Sequence, residues 1–300
     1  MKPTFPASTI LAVAVVWVLA TNWDAVASGH PSYLVFYLSA LGLGLLVMIR
    51  GWSSDEPPRR PWVSWICAVG LLTAAFAAIW LSPFAAEPAA LDVLDDPTGF
   101  LIVQSASEIS LVPDAEDTGV GMVFYPGARV DTRAYLRILA PLARAGTPVV
   151  VVKEPLGIAF LSAGFTASWI QAHPGVEDWI VAGHSLGGVA AAATAHTEGV
   201  SGLLLWASYP ASDISASTAL QVSSVYGTND EVAPPDEVLA AAPDLPQSTQ
   251  FVPVEGGIHS FFGDYGLQPG DGEPVTDREE AQSQIFAASL ALVDSISVGD

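Results

Sequence analysis

A serine stands between two glycines in the segment GHSLG, residues 183–187, directly after an apolar run at residues 179–182. A sharp turn from a strand into a helix exposes such a serine at the end of a sheet, and the glycines let strand and helix approach closely. The alanine-rich stretch at residues 188–195 follows as a strong helix former. Strand, turn and helix are therefore all predicted around Ser185, in the pattern of a nucleophile elbow.

A serine hydroxyl becomes a nucleophile when a positioned base takes its proton, and that base needs an acid to orient it. For a serine on such a turn, the acid and then the histidine follow along the chain. Beyond Ser185 the sequence has two histidines. His196 falls on the helix that leaves the turn, about three turns away. The predicted base is therefore His259, in a glycine-bearing loop after the last predicted strand.

The predicted acid is Asp230, which lies in the turn that ends the strand before His259. Glu231 and Asp264 remain alternatives, because a turn can direct either of two neighbouring residues inward. The oxyanion of an acyl-transfer intermediate also needs N–H donors. Leu186 supplies one at a helix N-terminus, where the helix dipole favours negative charge. The other is predicted in the loop at residues 126–129, at Ala128, with Gly127 as the alternative.

The remaining pattern predicts the elements that position these residues. Short β-like runs at 99–103 and 108–112 predict an antiparallel hairpin. Further strands are predicted at 122–125, 149–152, 179–182, 203–206, 222–226 and 250–254, and helices at 132–145, 158–173, 186–197, 235–241 and 277–295. This order predicts an α/β fold with a mainly parallel sheet covered on both faces. Few residues separate Ser185 from Asp230, so no large cap domain and an open site are expected.

The N-terminal part of the chain differs from the rest in its apolar, nearly uncharged composition. Nearly uncharged stretches at about 9–26, 33–49 and 62–81 are each long enough to cross a bilayer core as a helix. We predict a membrane domain at 1–82, a linker at 83–98 and a catalytic domain at 99–300. Basic residues before the first stretch and between the second and third place those segments in the cytoplasm and the catalytic domain outside the cell membrane. Cleavage of residues 1–27 as a signal peptide is the alternative.

Charge and composition limit the partners. Residues 83–300 contain six basic and 28 acidic residues, a formal net charge of −22. Such a surface repels nucleic acid, so the expected partners are a small acyl substrate and, through the N-terminal helices, the lipid bilayer. The single cysteine, Cys67, lies in the third apolar stretch and offers no disulfide or thiolate metal site. No metal or other cofactor is expected, and the sequence leaves the oligomeric state open.

Four ordered motifs carry a family resemblance. They are residues 124–131, FYPGARVD; 183–188, GHSLGG; 226–230, YGTND; and 256–266, GGIHSFFGDYG. From about Val120 to Val293 the chain resembles the alpha/beta-hydrolase superfamily, and most closely a small bacterial branch related to dienelactone hydrolases that is often membrane-anchored. The resemblance implies Ser185, Asp230 and His259 as nucleophile, acid and base, and Ala128 and Leu186 as oxyanion positions.

The chain differs from that family in two respects. Ala128 stands where relatives often have a second glycine, and three apolar stretches replace the single anchor expected of the branch. The function expected is a membrane-anchored serine hydrolase that cleaves a carboxylic ester, thioester or lactone through an acyl-enzyme. A peptidase or acyltransferase with the same triad, or a non-catalytic surface binding module, remains an alternative.

Overall fold

A computed structural model describes residues 3–52, 61–115 and 118–297 of the chain. The chain divides into two compact units, Met1–Pro83 and Phe84–Asp300. The helices of the first unit are α1 (Thr4–Thr21), α2 (Trp23–Ser28), α3 (Ser32–Trp52) and α4 (Pro61–Trp80). Helices α1, α3 and α4 are long and apolar enough to cross a membrane. Within this unit α1 packs against both α3 and α4.

The first apolar helix differs from its predicted bounds of 9–26. It begins at Thr4 and ends at Thr21, because Asn22 leaves the helical conformation with φ −132° and ψ 27°. The next residues form the separate short helix α2, which contains residues 25–27 of the alternative cleavage site. Of the basic residues used to predict orientation, Lys2, Arg59 and Arg60 lie outside the described residues.

The second unit is built on a sheet of eight strands among the described residues. They are β1 (Phe100–Gln104), β2 (Glu108–Pro113), β3 (Val120–Tyr125), β4 (Val149–Val152), β5 (Asp178–His184), β6 (Val200–Trp206), β7 (Gln221–Gly227) and β8 (Gln250–Val254). The order across the sheet is β1-β2-β4-β3-β5-β6-β7-β8. The β1–β2 and β2–β4 pairs are antiparallel, and every other pair is parallel. The predicted hairpin and mainly parallel sheet are confirmed.

Helices cover both faces of this sheet. They are α5 (Pro88–Asp95), α6 (Leu136–Arg144), α7 (Thr166–Ala172), α8 (Leu186–Thr194), α9 (Pro235–Ala240) and α10 (Arg278–Ser297). Because successive strand residues point to opposite faces, Ile180 joins one apolar cluster, with residues of α6 and α10, while Val181 joins another with residues of α8. The central strands are buried on both faces, which explains why their sequences are continuously apolar.

Two segments differ from the sequence-based expectations. The predicted linker at 83–98 contains α5, and its Ala90 is fully buried against the domain. The predicted helix at 158–173 is instead a series of 3-10 turns followed by the short helix α7. Leu156 and Gly157 both have positive φ at its start, and hydrogen bonds between residues three apart hold the turns that follow. An uncharged composition does not distinguish such turns from a regular helix.

Candidate active site

Ser185 occupies the single-residue turn between β5 and α8. Its backbone has φ 55° and ψ −124°, a conformation that L-residues rarely adopt and that costs about 1–3 kcal/mol. The turn is held by hydrogen bonds from Ser185 N to Trp206 O (2.9 Å) and from Ser208 Oγ to Ser185 O (2.7 Å). The serine side chain is partly exposed at the carboxyl end of β5. This is the strand, turn and helix arrangement that the sequence predicts.

The glycines around Ser185 permit close backbone contact. A Cβ at Gly183 would lie 2.3 Å from the carbonyl carbon of Gly187, and one at Gly187 would lie 2.1 Å from Tyr125 O. Real Cβ atoms do not approach backbone atoms so closely, and backbone cannot rotate away as a side chain can. Strand β3, the turn and α8 therefore meet at a distance that only glycine allows.

We predict that Gly187→Ala lowers the thermal unfolding midpoint of the second unit by about 6–12 °C, because the added methyl group forces β3 and α8 apart at a cost of about 3 kcal/mol. The measurement is thermal unfolding of the full chain in detergent, followed by circular dichroism. Gly175→Ala is the matched control, since nothing lies within 4 Å of a Cβ at Gly175. Equal midpoints for the two variants would contradict the prediction.

His259 and Asp230 form a buried pair. His259 lies in a 3-10 turn after β8, and its Nδ1 is 2.8 Å from Asp230 Oδ2. Asp230 Oδ1 accepts hydrogen bonds from the backbone N–H groups of Val232 (2.8 Å) and Ala233 (2.7 Å). Both side chains are at most 1% exposed. With its Nδ1 proton donated to Asp230, His259 presents Nε2 as the basic nitrogen, and Nε2 is buried with no hydrogen-bond partner among the described residues.

The other two candidate acids lie elsewhere. Glu231 is exposed to solvent. Asp264 is buried, with Oδ1 accepting a hydrogen bond from Gln282 (3.1 Å) and lying 3.6 Å from Arg137 and 3.5 Å from Arg278. Burial raises the pKa of Asp264, and its contacts are with Gln282 and the two arginines. Of the three carboxylates weighed from the sequence, Asp230 is the one hydrogen-bonded to His259.

Asp271 is a residue of this site that the sequence analysis missed. Its two carboxylate oxygens accept the backbone N–H groups of His259 (3.0 Å) and Ser260 (2.8 Å), so they fix the start of the turn that carries the imidazole. The next residue, Gly272, lies against Asn229, since a Cβ there would come within 1.9 Å of Asn229 O. The Asp271 loop thus packs against both the acid turn and the base turn. Asp271 is twelve residues from His259, and nothing in its sequence context indicates this contact.

The loop after β3 contains Gly127 and Ala128, the two candidates for the second oxyanion donor. Gly127 N–H donates to Tyr135 Oη (2.8 Å), and Tyr135 Oη lies 2.9 Å from His184 Nδ1. Among the described residues, Ala128 N–H makes no hydrogen bond, and neither does Leu186 N–H, which begins α8. The Gly127 donor is therefore engaged, whereas the N–H groups of Ala128 and Leu186 have no partner within the described residues.

His184 links the serine turn to the rest of the site. Its ring centroid lies 4.5 Å from that of His259, and it stacks on Phe262 at 5.7 Å. Burial, and then the neighbouring His259, hold the pKa of His184 well below its ordinary value of 6.5, so His184 is neutral at neutral pH. Because the Tyr135 hydroxyl accepts from Gly127, it has its own proton to donate to His184 Nδ1. A neutral His184 avoids charge repulsion with any imidazolium formed at His259.

Glu154, just after β4, is another buried acid near this end of the sheet. It is 3% exposed, and neither carboxylate oxygen has a hydrogen-bond partner among the described residues. Burial raises the pKa of Glu154 well above its ordinary value of 4.5. The folded chain therefore keeps a proton that the unfolded chain loses above about pH 4.5, so the carboxyl lowers stability as pH rises towards its folded-state pKa.

We predict that Glu154→Gln becomes more stable than the wild-type chain as pH rises above 4.5. The difference in unfolding free energy should grow by up to about 1.4 kcal/mol per pH unit until the folded-state pKa is passed. Thermal unfolding midpoints compared at pH 5 and pH 8 measure it. The exposed Glu198, replaced by glutamine, serves as control. Parallel pH profiles for wild type and Glu154→Gln would contradict the prediction.

No metal-binding cluster is found within residues 3–52, 61–115 and 118–297: no group of three or more His, Cys, Asp or Glu side chains is placed to hold a metal ion. The candidate site consists of Ser185 on its turn, the His259–Asp230 pair, and the N–H groups of Ala128 and Leu186, which have no partner among the residues that the structure describes. Ser185 immediately follows His184, whose ring neighbours His259, so serine and imidazole lie at the same end of the sheet.

Comparison with known proteins identifies the family. A family model described as alpha/beta hydrolase matches residues 121–283. The chain therefore belongs to the alpha/beta hydrolase family. No curated protein matches the chain significantly.

Solved structures are similar in fold. Carboxyl esterase 2 from the mycorrhizal fungus Tuber melanosporum is 14% identical, with a TM-score of 0.50 over 70% of this chain and 91% of that one. A thermophilic esterase from the Planctomycetes species Thermogutta terrifontis is 15% identical, with a TM-score of 0.47 over 67% and 94%. A serine hydrolase without a lid from Xanthomonas campestris is 15% identical, with a TM-score of 0.45 over 65% and 95%. At 14% identity, the likeness to the fungal protein shows a shared fold.

Proposed function

We propose that the protein is a membrane-anchored serine hydrolase that cleaves a carboxylic ester, thioester or lactone through an acyl-enzyme. The observation that carries the proposal is the buried His259–Asp230 pair at 2.8 Å, whose His259 Nε2 has no partner among the described residues and whose ring lies beside His184, the residue before Ser185. An aspartate that holds one imidazole nitrogen leaves the other as a general base of fixed tautomer. The esterase names of the structural relatives are consistent with such a reaction.

In the proposed reaction, Ser185 Oγ attacks the acyl carbon of the substrate while its proton passes to His259 Nε2. Collapse of the tetrahedral intermediate breaks the bond to the leaving oxygen or sulfur, which takes the proton from His259. Water then attacks the acyl-serine, again giving its proton to His259 Nε2. That proton returns to Ser185 Oγ as the carboxylic acid leaves. Asp230 stabilises the imidazolium in both steps without itself becoming protonated.

Ala128 and Leu186 N–H groups are the proposed oxyanion donors. Support comes from their lack of hydrogen-bond partners in the described part of the chain and from the position of Leu186 at the N-terminus of α8, where the dipole favours an anion. The Tyr135 hydroxyl accepts the N–H of Gly127 and contacts His184, so it connects the oxyanion loop to the end of β5, immediately before Ser185. Tyr135 is thus a positioning residue for the donors rather than a group that touches the substrate.

We also propose that residues 1–82 form the membrane domain, that the catalytic domain lies on the extracytoplasmic side, and that the chain belongs to the branch related to dienelactone hydrolases. Helices α1, α3 and α4 support membrane insertion by their length and composition. The side of the membrane is inferred from the basic residues of the N-terminus and of the segment between α3 and α4. A protease added to intact cells should degrade the catalytic domain if this orientation is correct.

A fluorophosphonate probe tests the proposed nucleophile. The probe phosphonylates activated serines, so the full chain in detergent should be labelled and Ser185→Ala should not be. Ser212→Ala, at an exposed serine on the loop after β6, is the matched control and should label like wild type. Equal labelling of Ser185→Ala and wild type would refute the assignment, and no labelling of any form would refute the serine hydrolase itself.

A further inference from the structure

An uncharged surface segment lies beside the proposed site. Residues 155–176 contain no Asp, Glu, Lys or Arg, although the domain around them has a net charge of −22. Three of its large apolar side chains stand in solvent: Phe160 is 48% exposed, Leu161 52% and Phe165 57%. We name these three residues the apolar rim. Leaving them in water forgoes the favourable free energy of burying large apolar side chains, so three exposed apolar side chains within six residues of the chain indicate a binding surface.

Hydrogen bonds and packing connect the segment to the proposed site. Gly157 O accepts the N–H of Arg129 at 2.8 Å, one residue after the proposed oxyanion donor Ala128. Phe160 is three residues further along, and three residues span at most about 10 Å. Thr166 bonds through its hydroxyl to Tyr125, the last residue of β3. The 3-10 turns that carry the rim also contact α8, the helix that begins after Ser185.

We propose that the apolar rim binds the hydrocarbon chain of the ester, which makes the preferred substrate a long-chain acyl ester. The inference rests on the proposed function and adds the substrate class. An ester carbonyl held by Ala128 N–H would lie one residue from Arg129, whose N–H bonds to Gly157 O, and Phe160 follows Gly157 by three residues. A long acyl chain can extend from that carbonyl to the rim, whereas an acetyl group cannot. An uncharged hydrocarbon chain also suits an uncharged segment in a domain of net charge −22, because that charge neither repels nor attracts it. Lipids in the membrane that α1, α3 and α4 are suited to cross carry such chains.

The test compares chain-length preference between variants. The full chain, reconstituted in phosphatidylcholine nanodiscs, is assayed with nitrophenyl acetate and nitrophenyl dodecanoate. Phe160→Ser combined with Phe165→Ser should lower kcat/KM for the dodecanoate by about 30-fold, which corresponds to about 2 kcal/mol. The acetate, which is too short to reach the rim, should change less than twofold. Comparing the ratio of the two esters removes effects of folding yield and of ester partitioning into lipid.

A matched control replaces apolar residues that are equally exposed elsewhere. Leu101 and Val103 on β1 are 58% and 49% exposed at the far edge of the sheet, and their double serine variant should leave the ester ratio unchanged. An unchanged ratio in the Phe160 and Phe165 variant would overturn the proposal. An unchanged ratio together with an altered oligomeric mass would assign the rim to a second copy. An equal loss for both esters, seen only in nanodiscs, would assign the rim to the bilayer.

The outcomes also separate this proposal from the proposed function. If wild type hydrolyses the acetate and Ser185→Ala does not, the serine hydrolase holds whatever the rim variants do. If Ser185→Ala hydrolyses the acetate as well as wild type, the proposed function fails. A dodecanoate preference that depends on the rim would then belong to a different nucleophile.

Discussion

Ser185→Ala is expected to lower kcat for nitrophenyl acetate by about 10⁶-fold, the largest effect of any substitution in this chain. The substitution removes the atom that would form the acyl-enzyme and leaves the rest of the site in place. Ser185 Oγ makes no hydrogen bond within the described residues, so its loss leaves no buried partner unsatisfied. Alanine adopts a φ of 55° as readily as serine does, so the fold should be retained.

Steady-state hydrolysis by the full chain in detergent measures this effect, with Ser212→Ala as the control of unchanged rate. The residual rate should still exceed the uncatalysed reaction by about 10³-fold, through the oxyanion donors and substrate binding alone. Removing His259 as well should cost almost nothing further, because residues that act as a unit are not additive. If Ser185→Ala and His259→Ala each lowered kcat independently and their effects multiplied, the two would not belong to one triad.

Asp230→Asn is expected to lower kcat by about 10⁴-fold with the fold intact. An asparagine in that place can donate its side-chain N–H to His259 Nδ1, which moves the imidazole proton to Nε2. His259 would then hold its proton where the base is needed, and it would lack a carboxylate to stabilise the imidazolium. The backbone N–H groups of Val232 and Ala233 can still bond to the amide oxygen, so the turn keeps its shape.

The controls for Asp230→Asn are the two other carboxylates considered from the sequence. Glu231→Gln, at the exposed neighbour, should leave kcat within about twofold of wild type. Asp264→Asn should act mainly on stability, since Asp264 lies beside Arg137, Arg278 and Gln282 and not beside His259. The measurements are kcat for nitrophenyl acetate and the thermal midpoint of each variant. A larger loss of kcat in Glu231→Gln than in Asp230→Asn would reassign the acid.

The strands of the second unit could be predicted because burial on both faces produces a local pattern in the sequence. Strands covered on both faces need apolar residues at every position. Short, continuously apolar runs such as residues 149–152 and 203–206 therefore indicate buried strands. The segment at 158–173 could not be predicted in the same way. Its composition suits a helix, yet Leu156 and Gly157 begin it with positive φ, and its packing against Tyr125 and α8 selects 3-10 turns.

The linker predicted at 83–98 is a second segment whose structure depends on packing against distant residues. Its proline and alanine content indicates a connector, but α5 forms there because Ala90 fits against the domain and Val93 and Leu94 pack on its core. Burial against distant residues stabilises a short helix that its sequence alone would leave marginal. The first apolar stretch also ends elsewhere than predicted, since the helix stops at Thr21 although the nearly uncharged stretch extends to Val26.

The sequence by itself determined the identities of the candidate nucleophile and base, because GHSLG follows a predicted strand and His259 is the one downstream histidine able to reach it. It narrowed the acid to three residues and the second oxyanion donor to two. Only the tertiary structure places Asp230 against His259, engages Gly127 with Tyr135, and brings Asp271 to the base turn from twelve residues away. These choices depend on which groups converge across loops, and hydrogen bonds between distant residues have no local sequence pattern.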